Sequence, residues 1–232
     1  MSFLSINRLT KRFGGLTAVD NLDINIEKGQ VLGLIGPNGA GKSTAFNCVA
    51  GAYPPTSGRV LFKDENIEGF KPWTICARGI ARTFQIVKPL QTRTVLFNVM
   101  VGAFCRTESK KKATEISIEV LEFLGLLGKQ EILGKNLTIG DRKRLELARA
   151  LATGPELLLM DEVMAGLRPS EVDEMIGIVR KIRDRGVTIF LIEHIMQAIM
   201  NLSDRVVVIH YGKKIAEGSP KEVSKEEKAI KA

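Results

Sequence analysis

No stretch of this chain approaches the roughly 18 consecutive apolar residues that a membrane-spanning helix needs. Any work at a membrane therefore needs a partner. Cysteine is scarce: Cys48, Cys76 and Cys105 stand apart without metal-type spacing, so they read as reduced thiols. The segment Met1–Arg8 lacks the basic start and long apolar run of a secretory signal, and the expectation is a cytoplasmic chain. Sustained heptads are missing too, which excludes a long coiled coil. What remains is ordinary for a folded domain. Hydrophobic residues make up 44% and charged residues 26% of 232 positions, enough for a full core in one α/β domain or a core with a subdomain.

Charge is less ordinary. There are 34 Lys and Arg against 26 Asp and Glu, a net +8 that suits nucleic acid, an anionic membrane face or nucleotide. The basic residues are spread out except for Lys110–Lys112, which read as a solvated loop.

One stretch decides between these partners. Gly36-Pro37-Asn38-Gly39-Ala40-Gly41-Lys42-Ser43-Thr44 fits the pattern G-x-x-x-x-G-K-[ST] that wraps the phosphates of a nucleoside triphosphate. Its flanks are of the required kind: the apolar run Val31–Ile35 before it reads as a buried strand, and Ala45–Ala50 after it continues as a helix. Glycines let successive N–H groups turn inward as an anion nest, and the helix start adds its positive dipole end. Lys42 is then placed for the β- and γ-phosphates, and the Ser43 hydroxyl for Mg²⁺. The expected ligands are ATP and Mg²⁺.

Along the chain, Phe3–Arg8 and Leu22–Ile26 alternate apolar and polar residues as half-buried strands do, with a turn at Gly14-Gly15. Phe13 then lies at the tip of this β-layer, where it either stacks on a nucleotide base or packs the layer's edge. A breaker at Tyr53–Gly58 precedes a strand at Arg59–Phe62, and a helix is expected from Pro72 to about Arg82. Residues from Pro89 to about Ala152 read mostly as helices, at Val95–Phe104, Thr114–Leu127 and Asp141–Ala152. The expected organisation is one α/β domain, with residues 1–84 and 153–232 as core and β-layer and about 85–152 as an inserted helical subdomain.

Three wholly or mostly apolar strands follow, at Leu157–Met160, Thr188–Ile192 and Arg205–Ile209, with a helix from about Pro169 to Arg185 between the first two. Alternation of this kind means a mostly parallel sheet with ligands at the strands' carboxyl ends. Acids and a histidine sit at those ends. Asp161 is placed to face the Mg²⁺ held by Ser43, and Glu162 to polarise an attacking water; the pair could also cap the next helix. His194 ends the following strand, within reach of the γ-phosphate or the water. His210 stands in a turn and reads as structural.

With these residues in order, the whole chain from Phe3 to about Val223 resembles the ATP-binding subunit of ABC transporters. The resemblance implies that Gln85 contacts Mg²⁺ or water and senses a membrane subunit, and that Phe13 stacks on adenine. It also implies a head-to-tail dimer, in which Thr138 and Gly140 of one subunit meet the ATP on another's phosphate loop. The family's usual Leu-Ser-Gly-Gly-Gln signature reads Leu137-Thr138-Ile139-Gly140-Asp141 here, so a β-branched residue replaces one glycine, and Val163 replaces a usual proline. Gly15–Asp20, Ile80–Gln85, Ala165-Gly166-Leu167 and the Leu-x-x-Gly-Asp signature look most like importer subunits for branched-chain amino acids.

The resemblance therefore implies a Mg²⁺-dependent ATPase that drives an importer from the inner face of the cell membrane. Its partners would be transmembrane permease subunits, a second ATPase subunit (a copy or a paralogue) and, indirectly, a solute-binding protein. An importer of another small polar solute is the alternative. A DNA-repair or chromosome ATPase normally has a long coiled coil between its nucleotide motifs, and a translation-factor ATPase has two heads; neither occurs here, so no nucleic acid is expected. A nucleotide-binding module without hydrolysis would have no use for Glu162 and His194.

Overall fold

The computed structural model describes residues 2–226. The chain opens with a long hairpin, β1 (Leu4–Phe13) and β2 (Leu16–Ile26), whose register slips at several bulges. Next come β3 (Val31–Ile35) and α1 (Lys42–Val49), joined by the glycine-rich loop. The chain then returns to the first layer with β4 (Ser57–Phe62) and the short β5 (Glu65–Asn66), making an antiparallel sheet ordered β2-β1-β4-β5.

A short helix, α2 (Pro72–Ala77), and an edge strand, β6 (Ile80–Arg82), follow. The helix expected as far as Arg82 thus stops early. Gly79 has φ +102°, a conformation that breaks the helix and costs glycine little, and residues 80–82 pair in parallel with the strand at Leu157. Beyond an irregular segment come α3 (Val95–Ala103), α4 (Lys110–Phe123), two short 3₁₀ turns and α5 (Ile139–Leu151). The second helix begins four residues before the expected start at Thr114. Ser109 caps it by accepting the Lys112 N–H, so Lys110–Lys112 form its exposed first turn and not a loop. The cap outweighs the poor placement of cations at a helix N-terminus.

The remainder alternates strand and helix: β7 (Leu157–Asp161), α6 (Pro169–Asp184), β8 (Thr188–Ile192), α7 (Met196–Leu202), β9 (Arg205–His210), β10 (Lys213–Gly218) and α8 (Pro220–Val223). The main sheet is ordered β10-β9-β3-β8-β7-β6, parallel throughout except for β10. This is the α/β architecture expected, with an antiparallel layer on one side.

The pleat of the central strands serves two cores, because successive side chains point to opposite faces. Leu157, Leu159, Phe190 and Ile192 face the antiparallel layer and α1; Leu158, Met160, Ile189 and Leu191 face α6, α7 and the helical insertion. Strands covered on both faces are apolar without alternation, which is why they were legible. Their packing fixes the carboxyl ends of β3, β7 and β8 side by side, and the site lies there. His210, expected in a turn, instead closes β9 at this same edge, and its ring stacks on Tyr211 with centroids 4.2 Å apart.

Candidate functional site

The glycine-rich loop leaves β3 and enters α1 with no side chain capping the helix, so its first N–H groups stay available for an anion. Gly41 adopts φ +103°, and a Cβ there would run into the Ala18 carbonyl; no other residue fits. Asn38–Thr44 line a cavity of about 520 Å³ together with Phe13, Gln85 and Glu162.

Lys42 is 5% exposed, and its ammonium folds back onto the carbonyls of Gly36 (2.7 Å) and Pro37 (2.9 Å). Burial lowers its pKa, against the pull of the nearby Glu162 and Asp161 carboxylates. The ammonium is thus parked on neutral acceptors beside an anion-shaped nest, ready to exchange them for phosphate oxygens.

Asp161 ends β7, 3% exposed. One carboxylate oxygen pairs with Arg82 at 2.9 Å, and Arg82 also holds Asn47 of α1. The other oxygen, Oδ1, is buried without a partner. Such an orphan is costly unless something fills the position. Ser43, Gln85 and Asp161 line one continuous depression, so a hydroxyl, an amide and a carboxylate share one pocket. Hard oxygen donors beside a phosphate nest fit Mg²⁺.

Glu162, Gln85 and His194 come together although they lie on three separate segments. The Gln85 amide donates to Glu162 Oε2 at 2.5 Å, and His194 Nε2 is 2.8 Å from Glu162 Oε1. Glu162 has φ +50°, unusual for a residue with a side chain, and its N–H bonds the Ile192 carbonyl of β8. The strained backbone aims the carboxylate at the cavity instead of into a helix cap. Two hydrogen-bond partners on one carboxylate, at the mouth of a phosphate nest, form an arrangement able to take a proton from water.

Thr138 and Gly140 are not brought to this cavity. Thr138 is the N-cap of α5; its hydroxyl accepts the Asp141 N–H and donates to the Asp141 carboxylate at 2.8 Å. Gly140 lies beside Glu171, and Ile139 between them is 61% exposed. Phe13 stays near the loop, 42% exposed, edge-on to Tyr53 at 5.3 Å with the Lys11 ammonium 5.0 Å from its ring.

Three further residues belong to the site that sequence reasoning did not single out. Arg82 neutralises Asp161. Lys143, on α5 and 7% exposed, donates at 3.1 Å to the carbonyls of both Gln85 and Glu162. Glu193, 2% exposed, accepts the Met164 N–H at 2.9 Å, and burial pushes its pKa up to about 7. A charged residue inside a buried stretch was the available signal for Glu193; for Lys143 the signal was a lysine on the apolar face of a helix.

A profile of the ABC transporter family matches residues 19–165. The high-affinity branched-chain amino acid transport ATP-binding protein LivG of Escherichia coli (strain K12) is 39% identical over 99% of this chain and 96% of its own length. Its counterpart BraF of Pseudomonas aeruginosa is 37% identical with the same coverage. Among solved structures, an ATP-binding cassette of an ABC transporter in its ADP conformation superposes with a TM-score of 0.91 at 33% identity, covering 100% of this chain and 98% of that one.

Proposed function

The chain belongs to the ABC transporter family of ATP-hydrolysing subunits, and from that premise we propose that it is the motor of an importer for branched-chain amino acids. One observation carries the chemistry: Glu162 stands between Gln85 and His194 at the mouth of the phosphate-loop cavity. The solute class is supported by similarity to LivG and BraF along 99% of the chain.

In this reading Lys42 leaves the Gly36 and Pro37 carbonyls for the β- and γ-phosphates of ATP, and the free N–H groups of the loop and of α1 hold their oxygens. Ser43, Gln85 and Asp161 Oδ1 would hold Mg²⁺, which would supply charge neutralisation for the phosphates. Arg82 pairs with one Asp161 oxygen and so orients the carboxylate, leaving Oδ1 free. Glu162 takes a proton from the attacking water, for which one of its two hydrogen-bond partners must yield an oxygen. His194 then orients the water or the γ-phosphate. Phe13 stacks on the base.

Thr138 and Gly140 serve the ATP of a second ATPase subunit, because they lie outside the cavity of their own chain. The partner is a copy or a paralogue, and the interface forms head to tail around two nucleotides.

The link to transport is a groove of about 430 Å³ between the core and the helical insertion (about residues 85–152), lined by Ile75, Phe84, Val101, Gly102, Glu146 and Arg149 among others. Phe84 and Ile86, 55% and 71% exposed, extend it along the Gln85 loop. Val87 beside them is half-buried. A helix of the transmembrane permease seated in this groove would feel Gln85 move with nucleotide. No helix among the described residues is long and apolar enough to cross a membrane, so the permease supplies the spans and holds this subunit at the inner face. The solute-binding protein acts indirectly, through the permease.

The test is reconstitution with the membrane subunits encoded nearby, measuring ATPase activity with each loaded binding protein. Stimulation by a leucine-loaded one is expected. Stimulation only by a sugar- or metal-loaded one would overturn the solute and leave the motor standing.

A further inference from the structure

Lys143 lies where a lysine needs a reason. Its ammonium is buried, and burial lowers its pKa against four surrounding carboxylates, those of Glu193, Glu162, Glu146 and Asp161. The two carbonyls it grips belong to the two loops that deliver the catalytic side chains, Gln85 and Glu162, which themselves meet at 2.5 Å. The result is a closed ring: side chain to side chain on one arc, backbone to ammonium to backbone on the other. Glu162 also occupies a disfavoured φ, a strain that persists only where the surroundings over-determine it. Its N–H is held by β8, and its carbonyl by Lys143.

We propose that Lys143 is a positioning residue for hydrolysis, setting the separation of Gln85 from Glu162 and holding the Glu162 backbone in the conformation that aims its carboxylate at the attacking water. The inference deepens the ATPase reading and rests on it. Lys143 stands five residues after Thr138 on the same helix, so α5 presents its N-terminus outward and this ammonium to its own subunit's site. A displacement of the helix would then be passed to both catalytic loops through one side chain. A lysine that merely fills the core would have no such consequence.

The experiment uses the full chain with Lys143→Met, which keeps the length and removes the donors, and Lys143→Arg, whose fork can serve two carbonyls. Lys143→Met should lower kcat about 10- to 100-fold, as misplacement by about an ångström does. ATP Kd should stay within about twofold, since Lys143 touches no phosphate-binding group. Lys143→Arg should recover most of kcat. Amide hydrogen exchange without nucleotide should quicken at residues 84–87 and 162–164 in the Met variant alone. Unchanged kcat in a folded Met variant overturns the proposal. So does a joint fall of kcat, affinity and Tm that the Arg variant fails to rescue. If the wild-type chain hydrolyses no ATP, the functional reading falls, and unchanged exchange at both loops then overturns the positioning role by itself.

A second observation stands apart from the site. The sulfurs of Cys76, on α2, and Cys105, just beyond α3, are 3.7 Å apart, and Cys105 is exposed. The neighbouring Arg106 pins this junction through the carbonyls of Ala77, Cys76, Thr153 and Gly154. We infer that the pair is a site of reversible oxidation, whose disulfide would tie core to insertion at the groove. With hydrogen peroxide as oxidant, the thiolate of one cysteine attacks an oxygen and breaks the O–O bond, giving a sulfenic acid and water after protonation. The second thiolate displaces that hydroxyl, forming the S–S bond and a second water.

Mild peroxide treatment, alkylation and peptide mass spectrometry should yield a Cys76–Cys105 linked peptide that dithiothreitol reverses. Cys48, buried with its thiol pushed up to about 11, should stay reduced. Over-oxidation of Cys105 without the linked peptide, or a link through Cys48, would overturn the inference.

Discussion

The two ends of this chain's catalytic surface are built differently. At the phosphate-loop end the charged side chains are held by the rest of the chain: Lys42 by loop carbonyls, Asp161 by Arg82, Glu162 by Gln85, His194 and Lys143. At the N-terminus of α5 the polar groups close on one another. Thr138 and Asp141 bond mutually, Lys129 covers the Asp141 carboxylate at 2.6 Å, and Ile139 stands out to solvent. One end is prepared for a ligand of its own; the other is a stable, capped helix end that awaits a surface. If the proposed head-to-tail dimer forms, one half of its nucleotide site is organised within a single molecule while the other half is only presented by it.

The largest effect expected from breaking the prepared end comes from Glu162→Gln. Loss of a general base costs about 10²–10⁴ in rate. Turnover should fall by that range while ATP still binds, and the trapped nucleotide should reveal an ATP-dependent dimer in sedimentation. Wild-type-like phosphate release would remove Glu162 from the role. A variant that stays monomeric at all ATP concentrations would point to a paralogous partner.

Glu193 gives the prepared end a pH signature. Its carboxyl is raised by burial to about 7, so the folded state holds a proton that the unfolded state releases above its ordinary pKa of 4.5. The stabilisation is full below about 4.5 and is lost as pH rises to about 7, at roughly 1.4 kcal/mol per unit and on the order of 3 kcal/mol in all. Denaturant titrations between pH 5 and 8 should show that slope in the wild type and a flatter one in Glu193→Gln. Equal slopes would show that Glu193 titrates normally.

Thr138→Ala probes the presented end. Losing the cap should cost about 1 kcal/mol of stability. Nucleotide affinity of the monomer should be unchanged, because Thr138 lines no part of its own cavity, and the ATP-dependent dimer should weaken. A fall in monomer affinity would erase the contrast between the two ends.

The smallest effect belongs to Phe13, which is half exposed and sits edge-on to Tyr53 beside the Lys11 ammonium. A stacking contribution of about 0.5–1.5 kcal/mol means that Phe13→Ala should weaken ATP and GTP alike by about 2- to 12-fold. Unchanged affinity for both would leave the ring as packing for the hairpin's edge.

Sequence alone carried what contiguous residues can encode. The phosphate loop was legible because a nest of N–H groups is made by neighbours in the chain, with glycines at fixed offsets. The buried strands were legible because coverage on both faces removes alternation, and that placed Asp161, Glu162 and His194 at strand ends. Helix and strand boundaries followed less well. Ser109 moved the start of α4 from Thr114 to Lys110, and Gly79 turned an expected helix end into the strand β6.

Only the tertiary structure decided the rest, since it depends on residues far apart in sequence meeting at one edge. Arg82 reaches Asp161 across a parallel pairing that only sheet order reveals. Lys143 shares a helix face with Leu147 and Ala150, which hints along the chain at burial but not at a partner. Burial and two carbonyls 58 and 19 residues away give it a task, because a hydrogen bond is set by distance in space and not by spacing in the chain.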